Sequence, residues 1–142
     1  MQVENILQSK GHHVHTVPAD ASIAEAVRVL NAHRIGAVVA VDSSGNVRGI
    51  LSERDIVRRL GGDPVALLEA PVSSAMTTNV ITCTRSISVS ELMEQMTRYR
   101  IRHMPVVESG TLVGIISIGD VVKRKIEETE QEALALKQYI AT

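Results

Sequence analysis

The chain has 142 residues, of which 44% are hydrophobic and 22% are charged, and its formal net charge is −1. A chain of this length and composition folds as one ordinary globular domain or two very small ones, and it has no global field that would attract polyanions. Phe and Trp are absent and Tyr occurs twice, so an aromatic platform for stacking nucleic-acid bases is excluded.

The first half of the chain predicts a β-α-β-β-α order of elements. Ser22 followed by Glu25 is a capping-box pattern, which marks the start of a helix. Runs of β-prone residues predict strands, and apolar residues at helical spacing predict helices. In chain order, the predicted elements are a strand at 14–17, a helix at 23–34, strands at 37–41 and 47–51, and a helix that begins after Ser52.

The second half repeats this order after a connecting segment. Residues 61–64, Gly-Gly-Asp-Pro, end the preceding helix, and residues 72–79 form a loop with a short turn. The predicted elements that follow are a strand at 80–83, a helix at 89–100, strands at 104–107 and 112–116, and a helix that begins after Ser117. A long tail helix, Val121–Thr142, carries one apolar stripe made of Val122, Ile126, Thr129, Ala133, Leu136 and Ile140.

Comparison of the two halves shows an internal duplication. A shift of 66 residues aligns Ser22, Glu25 and Arg34 with Ser88, Glu91 and Arg100, and a shift of 65 aligns Gly49, Ser52 and Asp55 with Gly114, Ser117 and Asp120. Units this small rarely bury a core alone, so the two should pack face to face around a ligand-sized cleft. We therefore predict an α/β (α+β) protein with repeats at 1–62 and 80–125, a linker at 63–79 and a helical tail at 126–142.

Each repeat carries a Ser-x-x-Asp motif after a predicted strand, Ser52 with Asp55 and Ser117 with Asp120. At the start of a helix this pattern is a capping box, in which the hydroxyl accepts a free backbone N–H. The same geometry can hold the two vicinal hydroxyls of a ribose. The residues alone leave both interpretations open, although the motif occurs twice at equivalent places.

The densest basic patch of the chain lies between the predicted helix and strand of the second repeat. Arg98 and Arg100 suit a solvent-exposed helix end, where cations face the negative end of the dipole. Arg102, followed by His103, begins the strand beside the expected cleft, where a guanidinium suits a phosphate. The residue equivalent to Arg102 in the first repeat is Gly36, so the two repeats offer unequal sites.

Other residues that could carry chemistry lack the partners they would need. His12, His13 and His15 have no second cluster that would complete a tetrahedral metal site, so we expect no metal. Cys83, the single cysteine, has no catalytic frame around it, and the chain contains no P-loop or nucleophile-elbow motif. We therefore expect a protein that is not an enzyme.

The duplicated motifs resemble a tandem pair of CBS domains, named after cystathionine β-synthase, of the short stand-alone bacterial type. The resemblance covers about residues 3–125 and rests on Ile35–Val41, Gly49–Asp55, Ala75–Thr77, Ile101–Val107 and Gly114–Asp120. It implies two β-α-β-β-α repeats packed through their sheets, with two clefts between them. It also implies an adenosine-containing ligand: AMP, ADP or ATP, and in some members NAD(H) or S-adenosylmethionine.

The resemblance further implies which residues form the two clefts. For a stronger site it implies Val80, Ile81, Thr82, Arg102, His103, Met104, Pro105, Ser117, Ile118 and Asp120. For a weaker site it implies Lys10, His15, Thr16, Gly36, Ala37, Ser52, Arg54 and Asp55. In this interpretation the Ser-x-x-Asp residues hold ribose, the short first strands line adenine, and the basic residues approach phosphate.

The function that we expect is that of a regulatory adenine-nucleotide sensor without catalysis. The alternative is a structural dimerisation module whose clefts are vestigial. We expect a homodimer that packs through Ile56, Val57 and Leu60 of one repeat, through Val121 and Val122 of the other, and through the apolar stripe of the tail from Ile126 to Ile140. The longest apolar run, 35–41, is too short for a bilayer, and the single cysteine fits a reducing compartment, so we expect no membrane partner and a cytoplasmic location.

Overall fold

Two small sheets and six α-helices make up the protein in this computed structural model, which describes residues 1–141. A three-stranded sheet has the order β1-β2-β3, and a two-stranded sheet pairs β4 with β5. The elements in the first half are α1 (Val3–Lys10), β1 (Thr16–Pro18), α2 (Ile23–His33), β2 (Ala37–Val41), β3 (Val47–Ser52) and α3 (Glu53–Arg59). Those in the second half are α4 (Pro64–Glu69), a 3₁₀ turn (Val72–Ser74), α5 (Val89–Tyr99), β4 (His103–Glu108), β5 (Thr111–Ser117) and α6 (Ile118–Ala141).

The equivalent helices α2 and α5 begin and end in the same way. The hydroxyls of Ser22 and Ser88 each accept a backbone N–H bond, from Glu25 and Glu91 respectively, at 3.1 Å. The predicted N-caps are thus confirmed, but neither glutamate carboxylate returns the bond within the described residues, so the full capping box is absent. Each helix ends at an arginine in the left-handed conformation, Arg34 or Arg100, and the helices predicted at 23–34 and 89–100 are confirmed.

The sequence prediction of a strand at 80–83 is wrong, because this segment forms only an isolated bridge between Cys83 and Val106. In the first repeat, β1 runs parallel to β2, and Val39 donates its N–H to the carbonyl of His15. The residue equivalent to Val39 is Pro105, which has no N–H to donate. The corresponding bond cannot form, and the pairing is confined to Cys83.

Each hydrophobic core is completed by a segment from outside its own repeat. Helix α1, which was not predicted, packs its buried side chains into the core of the second repeat, where Leu7 lies against Gly114. Helix α4, also not predicted, and the 3₁₀ turn place Leu67 and Val72 in the core of the first repeat. The Val72 N–H donates to the carbonyl of Ala21 at 2.7 Å. The beginning of the chain and the connecting segment therefore tie the two halves together.

The central strands are buried on both faces. In β2, Val38 and Ala40 belong to the first core, while Val39 is fully buried without belonging to either core. In β4, Met104 points into the second core, and Pro105 is buried on the opposite face. Strand residues alternate between faces, so the face away from the helices is covered in each half.

Helix α6 is one continuous helix of 24 residues rather than a short helix followed by a separate tail. Its first turn anchors Val121 in the second core, while residues 131–141 are exposed throughout. The prediction that the tail is helical is confirmed through Ala141, and Thr142 lies outside the described residues. The last part of the helix therefore extends away from the folded core.

Candidate functional site

A cavity of about 470 Å³ lies where the two halves meet. It is large enough for a nucleotide-sized ligand, since small-molecule sites span roughly 300–1,000 Å³. Three stretches of chain form it: the β3–α3 turn of the first repeat, the segment that leads into the second repeat, and the α5–β4 turn. The lining residues are Gly36, Ile50, Ser52, Glu53, Arg54, Asp55, Arg58, Thr77, Asn79, Val80, Ile81, Tyr99, Arg100, Ile101, Arg102 and His103.

The carboxylate of Asp55 is held in place at the β3–α3 turn. Its Oδ2 accepts the backbone N–H of Ser52 at 2.9 Å and the Ser52 hydroxyl at 3.0 Å, and the Asp55 N–H donates back to Ser52 Oγ at 3.3 Å. The capping-box interpretation of this motif is thereby confirmed. The other oxygen, Oδ1, accepts no hydrogen bond from any group within residues 1–141. One oxygen of this fixed carboxylate is therefore available to a ligand hydroxyl.

The cavity has an excess of positive charge. Its arginines are Arg54, Arg58, Arg100 and Arg102, against the carboxylates of Glu53 and Asp55. Within the described chain none of these arginines lies in an ion pair with a carboxylate. Guanidinium groups keep their charge at any physiological pH and match phosphate oxygens in a bidentate way. These unpaired arginines are therefore available to anionic groups of a ligand.

His103 marks the point where the two halves touch. A Cβ placed on Gly36 would lie 3.2 Å from Cε1 and Nε2 of the imidazole, so this glycine makes room for the ring. Burial is the main reason why the pKa of His103 lies below its usual value, and the charges of Lys10 and Arg102 lower it further. The carboxylates of Asp120 and Glu53 oppose these effects. The ring is therefore neutral near pH 7 and offers one donor and one acceptor.

The apolar part of the wall comes from Ile50, Val80, Ile81 and Ile101. Backbone bonds between Ile50 and Thr77, at 3.0 and 2.9 Å, fix the lead-in segment against β3. Tyr99 adds a phenol ring to the wall. Flat apolar ligands such as a purine fit between aliphatic walls of this kind.

The cavity combines residues from both of the predicted sites. From the predicted stronger site it takes Val80, Ile81, Arg102 and His103, and from the predicted weaker site it takes Gly36, Ser52, Arg54 and Asp55. The remaining predicted site residues do not line it, namely Thr82, Met104, Pro105, Ser117, Ile118, Asp120, Lys10, His15, Thr16 and Ala37. The Ser52–Asp55 turn of the first repeat faces Val80, Ile81 and Arg102 of the second repeat. The sequence prediction instead assigns these two groups of residues to different sites.

Several lining residues were missed by the sequence analysis: Ile50, Glu53, Arg58, Thr77, Asn79, Tyr99, Arg100 and Ile101. For Tyr99 and Arg100 a signal existed, because they directly precede the predicted phosphate residues. Arg58 lies one helical turn beyond Arg54, on the same side of α3. Thr77 and Asn79 come from the connecting segment, and no pattern in the sequence indicates where that segment runs.

The second Ser-x-x-Asp motif has a different environment. Asp120 Oδ2 accepts the Ser117 N–H at 2.8 Å and also forms an ion pair with Lys10 Nζ at 2.7 Å. Lys10 donates a further bond to the carbonyl of Ile115 at 2.9 Å. Burial would raise the pKa of Asp120, but the hydrogen bonds from Lys10 and Ser117 hold it below its usual value. A cationic side chain therefore already pairs with this carboxylate, whereas Asp55 has no cation partner within the described residues.

Three histidines occupy the positions equivalent to residues that line the cavity. His13, His15 and His33 correspond to Asn79, Ile81 and Tyr99 at the 66-residue shift. The rings of His15 and His33 stack at 3.7 Å, and His13 meets His15 edge-on at 4.5 Å. Desolvation, followed by the proximity of His33 and His13, lowers the pKa of His15. Within residues 1–141, no group of three or more His, Cys, Asp or Glu side chains is arranged to hold a metal ion.

None of the helices within residues 1–141 has both the length and the apolar composition that crossing a lipid bilayer requires.

Solved structures of CBS-domain proteins have the same fold. The CBS-domain containing protein ATU1752 from Agrobacterium tumefaciens is 51% identical, with a TM-score of 0.85 over 87% of this chain and 92% of that one. The CBS domain pair of protein MJ0100, solved in complex with 5′-methylthioadenosine and S-adenosyl-L-methionine, is 28% identical, with a TM-score of 0.80 over 90% and 98% of the two chains.

The sequence comparisons agree with the structural ones. The CBS domain-containing protein YhcV of Bacillus subtilis is 32% identical over 125 residues, which cover 85% of this chain and 86% of the relative. The profile of the CBS domain family matches residues 3–62 and again residues 72–127. The two matches coincide with the two halves of the duplication, and together they span most of the chain. This chain therefore belongs to the CBS-domain family and carries two CBS repeats.

Proposed function

We propose that this protein is a regulatory module without catalytic activity and that it binds an adenosine-containing nucleotide in the cavity beside Asp55. The observation that supports this most directly is the fixed Asp55 carboxylate with its available Oδ1, placed between apolar walls and unpaired arginines. The related CBS domain pair of MJ0100 was solved with two adenosine-containing ligands. In our proposal this chain binds the same chemical class.

In this binding mode Asp55 holds the ribose. A carboxylate oxygen accepts a hydrogen bond from a sugar hydroxyl, and the neighbouring Ser52 hydroxyl can bond the second one. Val80, Ile81 and Ile101 then cover the two faces of the adenine, and the polar groups of the lead-in segment lie at its edge. This combination of one carboxylate and an apolar slot selects a nucleoside over a free base or a simple phosphate.

The arginines favour a phosphorylated nucleoside. Arg102 and Arg54 approach the cavity from opposite repeats, so a phosphate between them would link the two halves. AMP, ADP and ATP carry the negative charge that these cations require, and the diphosphate of NAD(H) carries it as well. S-Adenosylmethionine has no phosphate, and we place it behind the nucleotides for this cavity.

Binding in this place provides a way to transmit a signal. The ligand would contact the β3–α3 turn of one repeat and the α5–β4 turn of the other, so its affinity depends on how the two halves are packed. A ligand can shift that packing only by its differential affinity for the two arrangements. The absence of catalysis in our proposal rests on the capping role of Ser52: its hydroxyl bonds Asp55 at the start of α3, and no histidine or lysine within residues 1–141 is hydrogen-bonded to it as a base.

The second predicted cleft differs from the first in that Asp120 already has a cation partner. Ser117 and Asp120 form the same capping box as the first motif, but Lys10 already occupies Oδ2 at 2.7 Å. A ligand hydroxyl would have to share this carboxylate with the lysine, or Lys10 would have to turn toward a phosphate. We therefore propose that the cavity at Asp55 fills first.

We further propose that the protein is a cytoplasmic homodimer and that the dimer uses exposed apolar side chains of α3 and α6. Val57, Leu60 and Val122 are exposed and suit this role. Ile56 and Val121, which the sequence analysis placed on the same surface, are instead buried in the two cores and cannot contribute to it. The single thiol, Cys83, is buried, and burial raises its pKa to about 11, so it is unsuited to catalysis or to a disulfide.

Calorimetric titration with AMP tests the proposed site on two matched variants. In Asp55→Asn the amide oxygen can still accept the Ser52 N–H, so α3 keeps its cap, but the second carboxylate oxygen is lost. We expect AMP to bind about tenfold or more weakly, because a hydrogen bond to a charged group contributes about 1.5–3 kcal/mol. Asp120→Asn, at the equivalent position of the other repeat, should leave this binding unchanged.

The alternative function is that of a structural dimerisation module with unused clefts. It predicts that saturating AMP, ADP, ATP and NADH leave both the calorimetric signal and the melting temperature unchanged. A ligand at about 100 times its dissociation constant would instead stabilise the protein by about 2.7 kcal/mol. Loss of AMP binding in Asp120→Asn but not in Asp55→Asn would show that the ligand lies in the other cleft.

A further inference from the structure

The exposed part of helix α6 has the sequence pattern of a coiled coil. Its apolar stripe, Val122, Ile126, Thr129, Ala133, Leu136 and Ile140, has alternating spacings of four and three residues. This is an average period of about 3.5 residues, which is the repeat that two helices share when they wrap around each other. In heptad positions, Ile126, Ala133 and Ile140 are at a, and Thr129 and Leu136 are at d.

Nothing in the rest of the described chain covers this stripe. Ile126 is 54% exposed, Leu136 59% and Ile140 73%. Residues 126–141 extend over about 24 Å, at the helical rise of about 1.5 Å per residue. A helical segment of this length is marginal in water unless its apolar face is packed. The helix therefore has a surface that requires a partner.

The charges beside the stripe indicate what the partner is. The g positions hold Lys125 and Glu132, and the e positions that follow them hold Glu130 and Lys137. In a parallel two-stranded coil, each g side chain faces the next e side chain of the other helix. Two copies of this helix would therefore pair Lys125 with the partner's Glu130, and Glu132 with the partner's Lys137, and all of these contacts are attractive.

The stripe also continues into the folded part of the protein. An apolar groove of about 320 Å³ between α5 and α6 is lined by Met93, Val122, Lys125, Ile126, Thr129 and Glu130. Lys125 Nζ lies 3.6 Å from Glu128 of the same helix, an exposed contact that contributes little and can be exchanged for another carboxylate. A second helix seated on the stripe would thus begin its contact at the folded core and not only at the free end.

From the heptad spacing, the exposure and the self-complementary charges, we propose that two copies of this chain associate through a parallel, in-register coiled coil formed by α6 from Val122 to Ile140. This interface lies outside the nucleotide cavity and does not depend on ligand binding. The coiled coil would hold the second repeats of both chains at one end of the dimer. A change in the packing between the two repeats of one chain would then change the position of the other chain.

Site-directed cross-linking tests the orientation of the two helices. Leu136 is at a d position, so in a parallel coil the two side chains face each other, whereas the adjacent Ala135 is at a c position on the outer side. Under mild oxidation, Leu136→Cys should form a disulfide-linked dimer rapidly and nearly completely, and Ala135→Cys should do so at least tenfold more slowly. Wild-type protein controls for the buried Cys83. Equal rates for the two variants, or no cross-linking in either, would overturn the proposal.

A charge exchange tests the pairing itself. Glu132→Lys would place lysine opposite the partner's Lys137 at both symmetry-related contacts, and the dimer dissociation constant should rise about tenfold in sedimentation experiments at low salt. Adding Lys137→Glu reverses both signs and should restore the wild-type value. Gln131→Lys, at the outer f position, should have little effect. A double variant that dimerises no better than the single one would contradict the parallel pairing, because positions 132 and 137 are not neighbours within one helix.

Discussion

Arg102→Ala should separate the contribution of the phosphate from that of the nucleoside. Arg102 directly precedes β4 and lines the cavity, and its carbonyl, which accepts the Ile118 N–H at 2.8 Å, is unaffected by the change. The variant therefore removes a cation without removing a structural bond. Adenosine and AMP differ by the phosphate, so the arginine can act on only one of them.

The magnitude follows from the exposure of the side chain. A hydrogen bond to a charged partner contributes about 1.5–3 kcal/mol, which corresponds to roughly ten- to a hundredfold in affinity. Arg102 is exposed, so water screens its charge, and we expect the lower end of this range for AMP. Adenosine should bind Arg102→Ala within about twofold of the wild type, since a surface substitution away from its contacts changes little.

Calorimetry with both ligands on Arg102→Ala and on Arg98→Ala measures the effect. Arg98 is an exposed arginine of α5 that does not line the cavity, so it controls for the loss of one positive charge. The affinity of Arg98→Ala for AMP should equal that of the wild type. If Arg102→Ala lost adenosine and AMP equally, the arginine would be supporting the fold of the site and our reasoning about the phosphate would be wrong.

Two further variants test the contacts that join α1 to the second repeat. Gly114→Ala would place a Cβ 2.7 Å from Leu7 Cδ2 in a fully packed core. The variant should lower the free energy of unfolding, measured by urea titration, by about 1–3 kcal/mol. Gly62→Ala is the control, because its Cβ would have no neighbour closer than 3.6 Å and should leave the free energy of unfolding nearly unchanged. For Lys10→Met the expected effect depends on pH. Burial raises the pKa of Asp120, but the bonds from Lys10 and Ser117 hold it below its usual value of 3.8 in the folded protein. The carboxylate therefore stabilises the folded state at any pH above its pKa in the unfolded chain. This contribution to stability is lost as the pH falls through the pKa of the folded state. The wild type should be more stable than Lys10→Met at pH 7, and the difference should disappear well below pH 3.8; a difference that stays constant with pH would refute the role of the ion pair.

The elements that the sequence predicted well are those determined by local chemistry. Ser22 and Ser88 cap helices because a hydroxyl at that position accepts a free backbone N–H, whatever the rest of the fold does. Strand β2 follows from a continuous apolar run, and β3 follows from the Val, Ile and Leu residues after a glycine-containing turn. Duplication reinforced each of these predictions, because the same pattern had to account for both halves.

The missing strand at 80–83 shows how one residue can override such a pattern. The residues Val80–Cys83 are as β-prone as their counterparts, and the duplication favours a strand there. Strand pairing, however, depends on the partner chain, and Pro105 cannot donate the bond that Val39 gives to His15. The information was present in the sequence, but at Pro105, 22 residues after the end of the segment that it affects.

The composition of the cavity could not be predicted from either repeat alone. Local patterns identified Asp55 and Arg102 as polar residues of interest, but assigned them to different sites. Only the packing of one half against the other brings them to one cavity, and that packing depends on α1 and the connecting segment, which are too short for their few apolar residues to indicate which core they complete. A cavity between two halves of a chain depends on how the halves pack, and local sequence patterns do not determine that packing.

The two Ser-x-x-Asp motifs show how duplicated sites acquire different roles. Their capping geometry is nearly the same, with Ser52 N–H and Ser117 N–H donating to Oδ2 of the following aspartate at 2.9 and 2.8 Å. The difference is Lys10, which lies at the end of α1 and reaches Asp120 because α1 packs on the second repeat. No residue of the described chain does the same at Asp55. A helix that completes one hydrophobic core thus also gives one of the two carboxylates a cation partner and leaves the other without one, and it couples the stability of the second repeat to the chemistry of its motif.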